Sequence, residues 1–259
     1  EIVCNGFRAA NGVGIGPQGE LITSDQEGHW TPANRINLVK PGGFYGNMYS
    51  FHRGDRPQTY EPPLVWLPKN VDRSPAAQLW VKGPGWSPLQ GRILSTSYGT
   101  GQMWLVLRQQ VGNVQQGGVV RLPLQFPTGV MRGRFHPDNG QLYVCGLVGW
   151  SSNTATAGGF FRVRYTDRPL HMPVAMHVGE STIQLQFSEP LDRAAAEDID
   201  NYNVEQWNYR WTANYGSPHF SVANPKRRGQ DEVEVLEAVL SADGKSLSLE
   251  IEDLQPVMQ

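Results

Sequence analysis

Cysteine is nearly absent: of 259 residues only Cys4 and Cys145 carry a thiol. Neither sits in a Cys-x-x-Cys, haem-attachment or zinc-ligand spacing, which excludes a zinc module or a thioredoxin-type redox centre. Two readings stand for the pair: buried thiols, or a disulfide if the protein is exported. Long runs rich in alanine, leucine, glutamate and lysine are missing too; only "DRAAAEDIDNY", residues 192–202, suits even a short helix. No apolar run approaches the roughly 18 residues of a membrane-spanning helix, so no membrane span is expected in this chain. The nucleophile elbow Gly-x-Ser-x-Gly and the zinc motif His-Glu-x-x-His are absent. "GVGIGPQG" is rich in glycine, but a strand follows it rather than a helix, which rules out a dinucleotide fingerprint. The chain opens without Met and shows no leader-type segment, and it is expected to be an internal piece of a longer polypeptide.

Turn formers are plentiful, with 29 glycines and 19 prolines, and the composition reads as all-β. Net charge is only −2, yet it is unevenly spread. Residues 1–167 carry 15 Lys/Arg against 9 Asp/Glu, and residues 168–259 carry 7 against 15. The basic part suits an anionic ligand, although such a split also occurs without function. "PKRRG", residues 225–229, reads as a solvated turn in an acidic domain, and no nucleic-acid partner is expected.

A pattern recurs. "VGIGPQGELITS" and "GRFHPDNGQLYVC" both run strand, Pro, polar Gly turn, Leu, strand, and Pro17 and Pro137 are 120 residues apart. That distance equals three steps of the ~40 residues that a four-stranded propeller blade takes. Between them "AAQLWVKG", "GRILSTSYG", "GQMWLVLRQ" and "GGVVRLPLQF" read as further strands. Residues 1–167 are therefore expected to form three to four C-terminal blades of a β-propeller. Beyond "GGFFRVRYTDRP" the character changes. "STIQLQFSEPLD" and the Asp-Gly-joined strands of "DEVEVLEAVLSADGKSLSLEIEDL" predict an immunoglobulin-like β-sandwich over residues 168–259. The aromatic run "QWNYRW" predicts that Trp207, Tyr209 and Trp211 pack against the propeller.

The stretch from Phe7 to Gly46 resembles a run found in the soluble pyrroloquinoline quinone (PQQ) sugar dehydrogenases of glucose/sorbosone type. There the order is His-Arg-Asn-Pro-Gln-Gly, Asp-Gly-x-Leu, Ser-Glu-His-Gly-Pro, then Asn-x-Ile-x-Pro-Gly-x-Asn-Tyr-Gly. Here the matching segments are "FRAANG", "QGEL", "SDQEGH" and "NRINLVKPGGFYG". The likeness continues more weakly through "PPLVWLP", "LQGRILSTSYG" and "MRGRFHPDNGQLYV". The whole chain is most similar to the large exported "membrane-bound dehydrogenase" proteins of planctomycete-type bacteria. The resemblance implies a ring of six blades, a periplasmic or extracellular location, a sugar or other hydroxyl substrate, and a cytochrome c module as electron acceptor. It implies PQQ and calcium as cofactors. By resemblance Arg8 contacts the quinone, and the loop with Gln26, Gly28 and His29 turns carbonyl oxygens onto calcium, a cation that favours oxygen ligands. Asn11 matches an amide position of the family, where its residue type equally suits a turn; Asp25 either orients Arg8 through a charge-assisted hydrogen bond or caps the loop; Arg132 and Arg134 approximate an arginine pair at the pocket rim or form part of a solvated strand surface.

Two departures bear on function. The family's general base is a histidine from the N-terminal half of the propeller, which matches no residue here; His29 lies on the calcium-loop segment instead. The lysine that the family places after the strand resembling "RILSTS" is replaced by Ser97-Tyr98-Gly99, where Tyr98 can give the cofactor one hydrogen bond but no charge. Trp66, Trp80, Trp86 and Trp104 fit either a sugar-stacking surface or burial between blades. His52, His171, His177 and His219 read as structural. Two functions follow: a PQQ-dependent sugar or alcohol dehydrogenase-like oxidoreductase, or a non-catalytic propeller that binds glycans or docks redox partners.

Overall fold

The computed structural model describes residues 1–52, 54–149 and 155–258. It is all-β, with one four-residue helix and two 3-10 turns among the described residues. The chain divides into two compact units. One comprises Glu1–Val106, Arg121–Thr166 and Trp211–Ser217; the other comprises Leu107–Val120, Asp167–Arg210 and Pro218–Gln259.

The first unit is built on antiparallel meanders. Strands β1 (Asn11–Ile15), β2 (Leu21–Asp25), β3 (Asn34–Val39) and β4 (Val65–Leu67) form the first sheet in chain order. Strands β5 (Pro75–Trp80), β6 (Ile93–Ser97), β7 (Gln102–Val111) and β8 (Val114–Gln125) form the second in the same way. The third holds β9 (Arg132–Phe135), β10 (Leu142–Leu147) and β11 (Gly158–Val163). The first strands of successive sheets lie side by side, β1 on β5 and β5 on β9, as in adjacent propeller blades. Every residue of β5 and β6 is buried, and β5 touches both the first sheet and the third.

The "GVGIG" of β1 makes that approach possible. A Cβ on Gly14 would stand 2.6 Å from the Gln78 carbonyl oxygen, and one on Gly12 would stand 2.4 Å from that of Ala76. Only hydrogen side chains let the two backbones come so close.

Two expectations are corrected. The third sheet has three strands among the described residues, because the chain leaves β11 through "RYTDRP" into the second unit. The 120 residues between Pro17 and Pro137 hold two blade steps rather than three: first strands open at Asn11, Pro75 and Arg132. The excess length lies in the connection from Lys40 to Leu64 and in the long β7–β8 hairpin, which periodicity alone cannot distinguish from an extra blade.

The second unit contains a four-stranded antiparallel sheet of order β12-β13-β17-β16, from Pro173–Val178, Thr182–Phe187, Ser246–Ile251 and Val235–Leu240. A two-stranded sheet pairs β14 (Val204–Gln206) with β15 (Asp231–Val233). Leu247, Leu249 and Ile251 point alternately from β17 into a core with Val235, Ala238 and Leu240, the period-two signature of a half-buried strand. The expected short helix is α1 (Arg193–Ala196), capped by the Asp192 carboxylate, which accepts from the Ala195 amide. Gly244 at φ 74° supplies the Asp-Gly turn between β16 and β17. Trp207 stacks on His219 at 4.7 Å and Tyr209 meets it edge-on at 5.4 Å. Trp211 belongs to the first unit, where its ring meets those of Trp30, Phe44 and Tyr60.

Candidate functional site

β2 ends on Asp25, a fully buried carboxylate. It accepts from the backbone amides of Arg8 (3.1 Å), Ala9 (2.7 Å) and Gln26 (3.0 Å) and from Arg35 Nη2 at 2.7 Å. Such a charge persists in a dry interior only when it is paired and saturated with donors. Of the two readings of Asp25, the hydrogen bonds are those of a loop cap, not of a bond to the Arg8 side chain. Asp25 fixes the backbone of Arg8, and the guanidinium it pairs with is that of Arg35, its cross-strand partner on β3. Arg35 is itself fully buried, with Trp66 under its guanidinium at 5.7 Å.

After Asp25 the chain turns sharply. Glu27 donates its amide to the Asn34 side chain at 2.9 Å, and Gly28 and Thr31 exchange backbone hydrogen bonds of 3.0 Å. Trp30 closes the turn at φ 58°. A bulky residue there costs about 1–3 kcal/mol and persists only when its surroundings hold it. Here the Trp30 amide donates to Thr212 O at 3.1 Å, and its ring packs on Trp211 at 5.2 Å.

The structure brings Arg8 onto this loop. Its side chain lies across Gly28, where a Cβ would stand 2.6 Å from Arg8 Nε. Arg8 Nη2 donates to the Tyr215 hydroxyl at 3.3 Å, with the guanidinium carbon 5.5 Å from the Tyr215 ring centre. Lys69 approaches the same ring at 5.8 Å and pairs with Glu27 at 2.8 Å. His29 is exposed, and its Nδ1 sits 2.8 Å from Ala213 O. A carbonyl only accepts, so Nδ1 carries the proton in this hydrogen bond. Beside the loop lies a groove of about 430 Å³ lined by Trp30, Met48, Tyr49, Phe51, Arg56 and Ala213.

Of the three carbonyls expected to face calcium, that of Gly28 is already committed. The Gly28 carbonyl already accepts two amides, from Thr31 and Gly216, each at 3.0 Å, which uses both of its lone pairs. The described residues hold no cluster of three His, Cys, Asp or Glu side chains suited to a metal.

No protein-family model matches the sequence, and no curated protein matches it. Solved structures with a similar course include a protein described as an oxidoreductase (glucose dehydrogenase) from Thermus thermophilus, at 21% identity and TM-score 0.44. Others are the PQQ-bound aldose sugar dehydrogenase of Streptomyces coelicolor (11%, 0.45) and the soluble aldose sugar dehydrogenase of Escherichia coli in its apo-form (17%, 0.45). The matches cover 63%, 63% and 64% of this chain and 46%, 45% and 47% of those chains. The matched part thus spans less than half the length of each.

The remaining sequence-derived residues fall elsewhere. Asn11 opens β1 opposite Ser24 and accepts that hydroxyl on its carbonyl at 2.6 Å. Tyr98 follows β6 and lays its hydroxyl on Gly149, where a Cβ would stand 1.3 Å away. Arg132 and Arg134 lie on β9, exposed, each donating to the carbonyl of the residue before it, at 2.8 and 2.7 Å. None of these touches the Arg8 surface among the described residues. Trp66, Trp80, Trp86 and Trp104 are 3–7% exposed, which removes the sugar-stacking reading for them. Cys4 and Cys145 are free and half-buried, and burial pushes the Cys4 thiol up. Sequence reasoning singled out Trp211 for packing but missed Lys69, Arg35 and the Thr212–Ser217 backbone that seats the loop. The last lies more than 180 residues from the loop it seats, and its only sequence signal is the aromatic density of "QWNYRW".

Proposed function

We propose that this chain is the C-terminal propeller portion of a PQQ-type sugar or alcohol oxidoreductase of the cell envelope, periplasmic or extracellular. In this reading the blades belong to a six-membered ring, the second unit is an immunoglobulin-like sandwich, and a cytochrome c module takes the electrons. One observation carries the proposal. Arg8, on the segment resembling the family's cofactor loop, presents an exposed guanidinium pinned to Tyr215 with no carboxylate partner among the described residues. PQQ when bound supplies the redox chemistry; Arg8 contributes the positive charge that meets a ligand carboxylate, and Gly28 leaves the room for its side chain. The general base belongs to a part of the protein outside this chain.

A second reading, a non-catalytic propeller that binds glycans or docks a redox partner, is favoured by the saturated Gly28 carbonyl and by the uncharged Tyr98 packed on Gly149. Calorimetry of the full-length protein with PQQ, with and without calcium, decides between them. The oxidoreductase reading expects saturable binding that Arg8→Ala weakens by about 1.5–3 kcal/mol, the cost of losing a charged hydrogen bond. Absence of PQQ binding under both conditions rejects it and leaves the binding module.

A further inference from the structure

We propose that the surface running from Arg8 over Tyr215, His29 and Tyr49 to Arg56 binds an acidic oligosaccharide, a sugar chain bearing anionic groups. This rests on reading the Arg8 surface as ligand-binding, but not on the quinone. The rings form a continuous track: Tyr215 meets His29 edge-on at 5.5 Å, and His29 meets Tyr49 at 5.6 Å. Tyr49 is 71% exposed and Tyr215 48%, although burial of such rings is strongly favoured when a partner is available. The track is held from beneath. Gly216 donates to Gly28 O, Ser217 donates to Pro32 O, and Trp30 is fixed in the left-handed region by Thr212 O. Preorganised rings of this kind lose little conformational entropy when a ligand covers them.

Charge marks the two ends. Arg8 and Arg56 are both exposed and have no acidic partner among the described residues, whereas Lys69, the third cation, is neutralised by Glu27 at 2.8 Å. Between the ends the polar groups suit hydroxyls. The Tyr49 and Tyr215 phenols donate and accept, and the exposed His29 ring commits only its Nδ1, to Ala213 O. Exposed phenols set edge to face with an imidazole, sparse hydroxyl-sized hydrogen-bonding groups and one cation at each end describe a sugar chain with occasional anionic substituents. A nucleic acid fits less well: its backbone charge calls for many cations in a row and its bases for open ring faces. Here there are two cations, and the rings stand edge to face.

The test is calorimetric titration of the full-length protein with oligogalacturonate, a sulfated galactan oligomer, a neutral cello-oligosaccharide of equal length, and single-stranded oligothymidylate. The expected result is binding of an anionic sugar, weakened by added salt and reduced about tenfold by Arg8→Gln and by Arg56→Gln alike. The carboxylated and sulfated arms identify the anionic group. Equal binding of the neutral oligomer, binding of oligothymidylate alone, no binding of either anionic sugar, or indifference to both substitutions overturns the proposal. Arg56→Gln separates it from the quinone reading, because Arg56 has no role there. PQQ binding that survives Arg56→Gln in a protein that ignores anionic sugars defeats this inference only. Anionic sugar binding without PQQ binding defeats the quinone reading only.

Discussion

Asp25 and Arg35 face each other across β2 and β3 at 0% side-chain exposure, 2.7 Å apart. The acid has three backbone amides besides the guanidinium, whereas Nε and Nη1 of Arg35 have no hydrogen-bond partner among the described residues. Removing the cation alone leaves a buried carboxylate facing apolar surface. Arg35→Ala is therefore expected to cost about 3–5 kcal/mol, read from the denaturant midpoint at constant slope. Arg35→Met with Asp25→Asn is expected to cost clearly less, because no uncompensated charge remains. A loss below about 1 kcal/mol for the single substitution would place the pair in the class of surface ion pairs and sink the account. Arg8, Asp25 and His29 were legible as a chemically rich cluster because they crowd one short stretch. Arg35 was not, since an arginine in "NRINLV" looks solvated until strand register sets it opposite Asp25.

At the scale of elements, the glycines of β1 hold the first sheet against the second. Gly14 has no positive φ, so its need is purely spatial: Gln78 O at 2.6 Å and Trp80 at 2.9 Å from an added Cβ. Gly14→Ala is expected to destabilise by about 1–3 kcal/mol through overpacking against backbone. Val13→Ala, on the neighbouring face and 65% exposed, is expected to change little. Thermal unfolding of both variants checks the contrast, and equal effects would mean that β1 does not pack on β5 as described. Strand–turn–strand units around Pro17 and Pro137 were legible from alternation and turn chemistry. The number of blades between them was not, because a long connection and a long hairpin consume residues without adding a sheet.

Across the first unit as a whole, Asp72 joins two sheets. It lies fully buried between β4 and β5. Its carbonyl accepts from Asn34 Nδ2 of β3 at 2.7 Å, and its carboxyl accepts from Ser97 Oγ of β6 at 2.6 Å and from the Ser74 amide at 3.2 Å. Burial pushes the carboxyl up to about 6, against the opposing pull of its hydrogen bonds, that of Ser97 foremost. The folded protein therefore holds this proton more tightly than the unfolded chain, whose aspartates titrate near ~3.9. The contribution of Asp72 to stability is greatest below about pH 4 and declines as pH rises to about 6. Asp72→Asn keeps an acceptor for Ser97 and removes the titration. Its melting temperature relative to wild type is expected to rise across that interval and to level off above it. A difference that stays flat with pH would refute the assignment.

Alternation, Asp-Gly and Pro-Gly turns, an aspartate cap before "RAAA" and the scarcity of helix formers were enough to establish an all-β chain with its hairpins and its one short helix. Each of these signals acts within a few residues and survives without tertiary context. The chemical crowding from Arg8 to Trp30 was equally visible. What that crowding can bind was decided only on folding. The Gly28 carbonyl is consumed by Gly216, Arg8 is drawn to Tyr215, and His29 is oriented by Ala213, all from a segment far along the chain. Which lone pair is used and which cation is left unpaired depends on contacts between distant residues, and those are set by how the sheets pack.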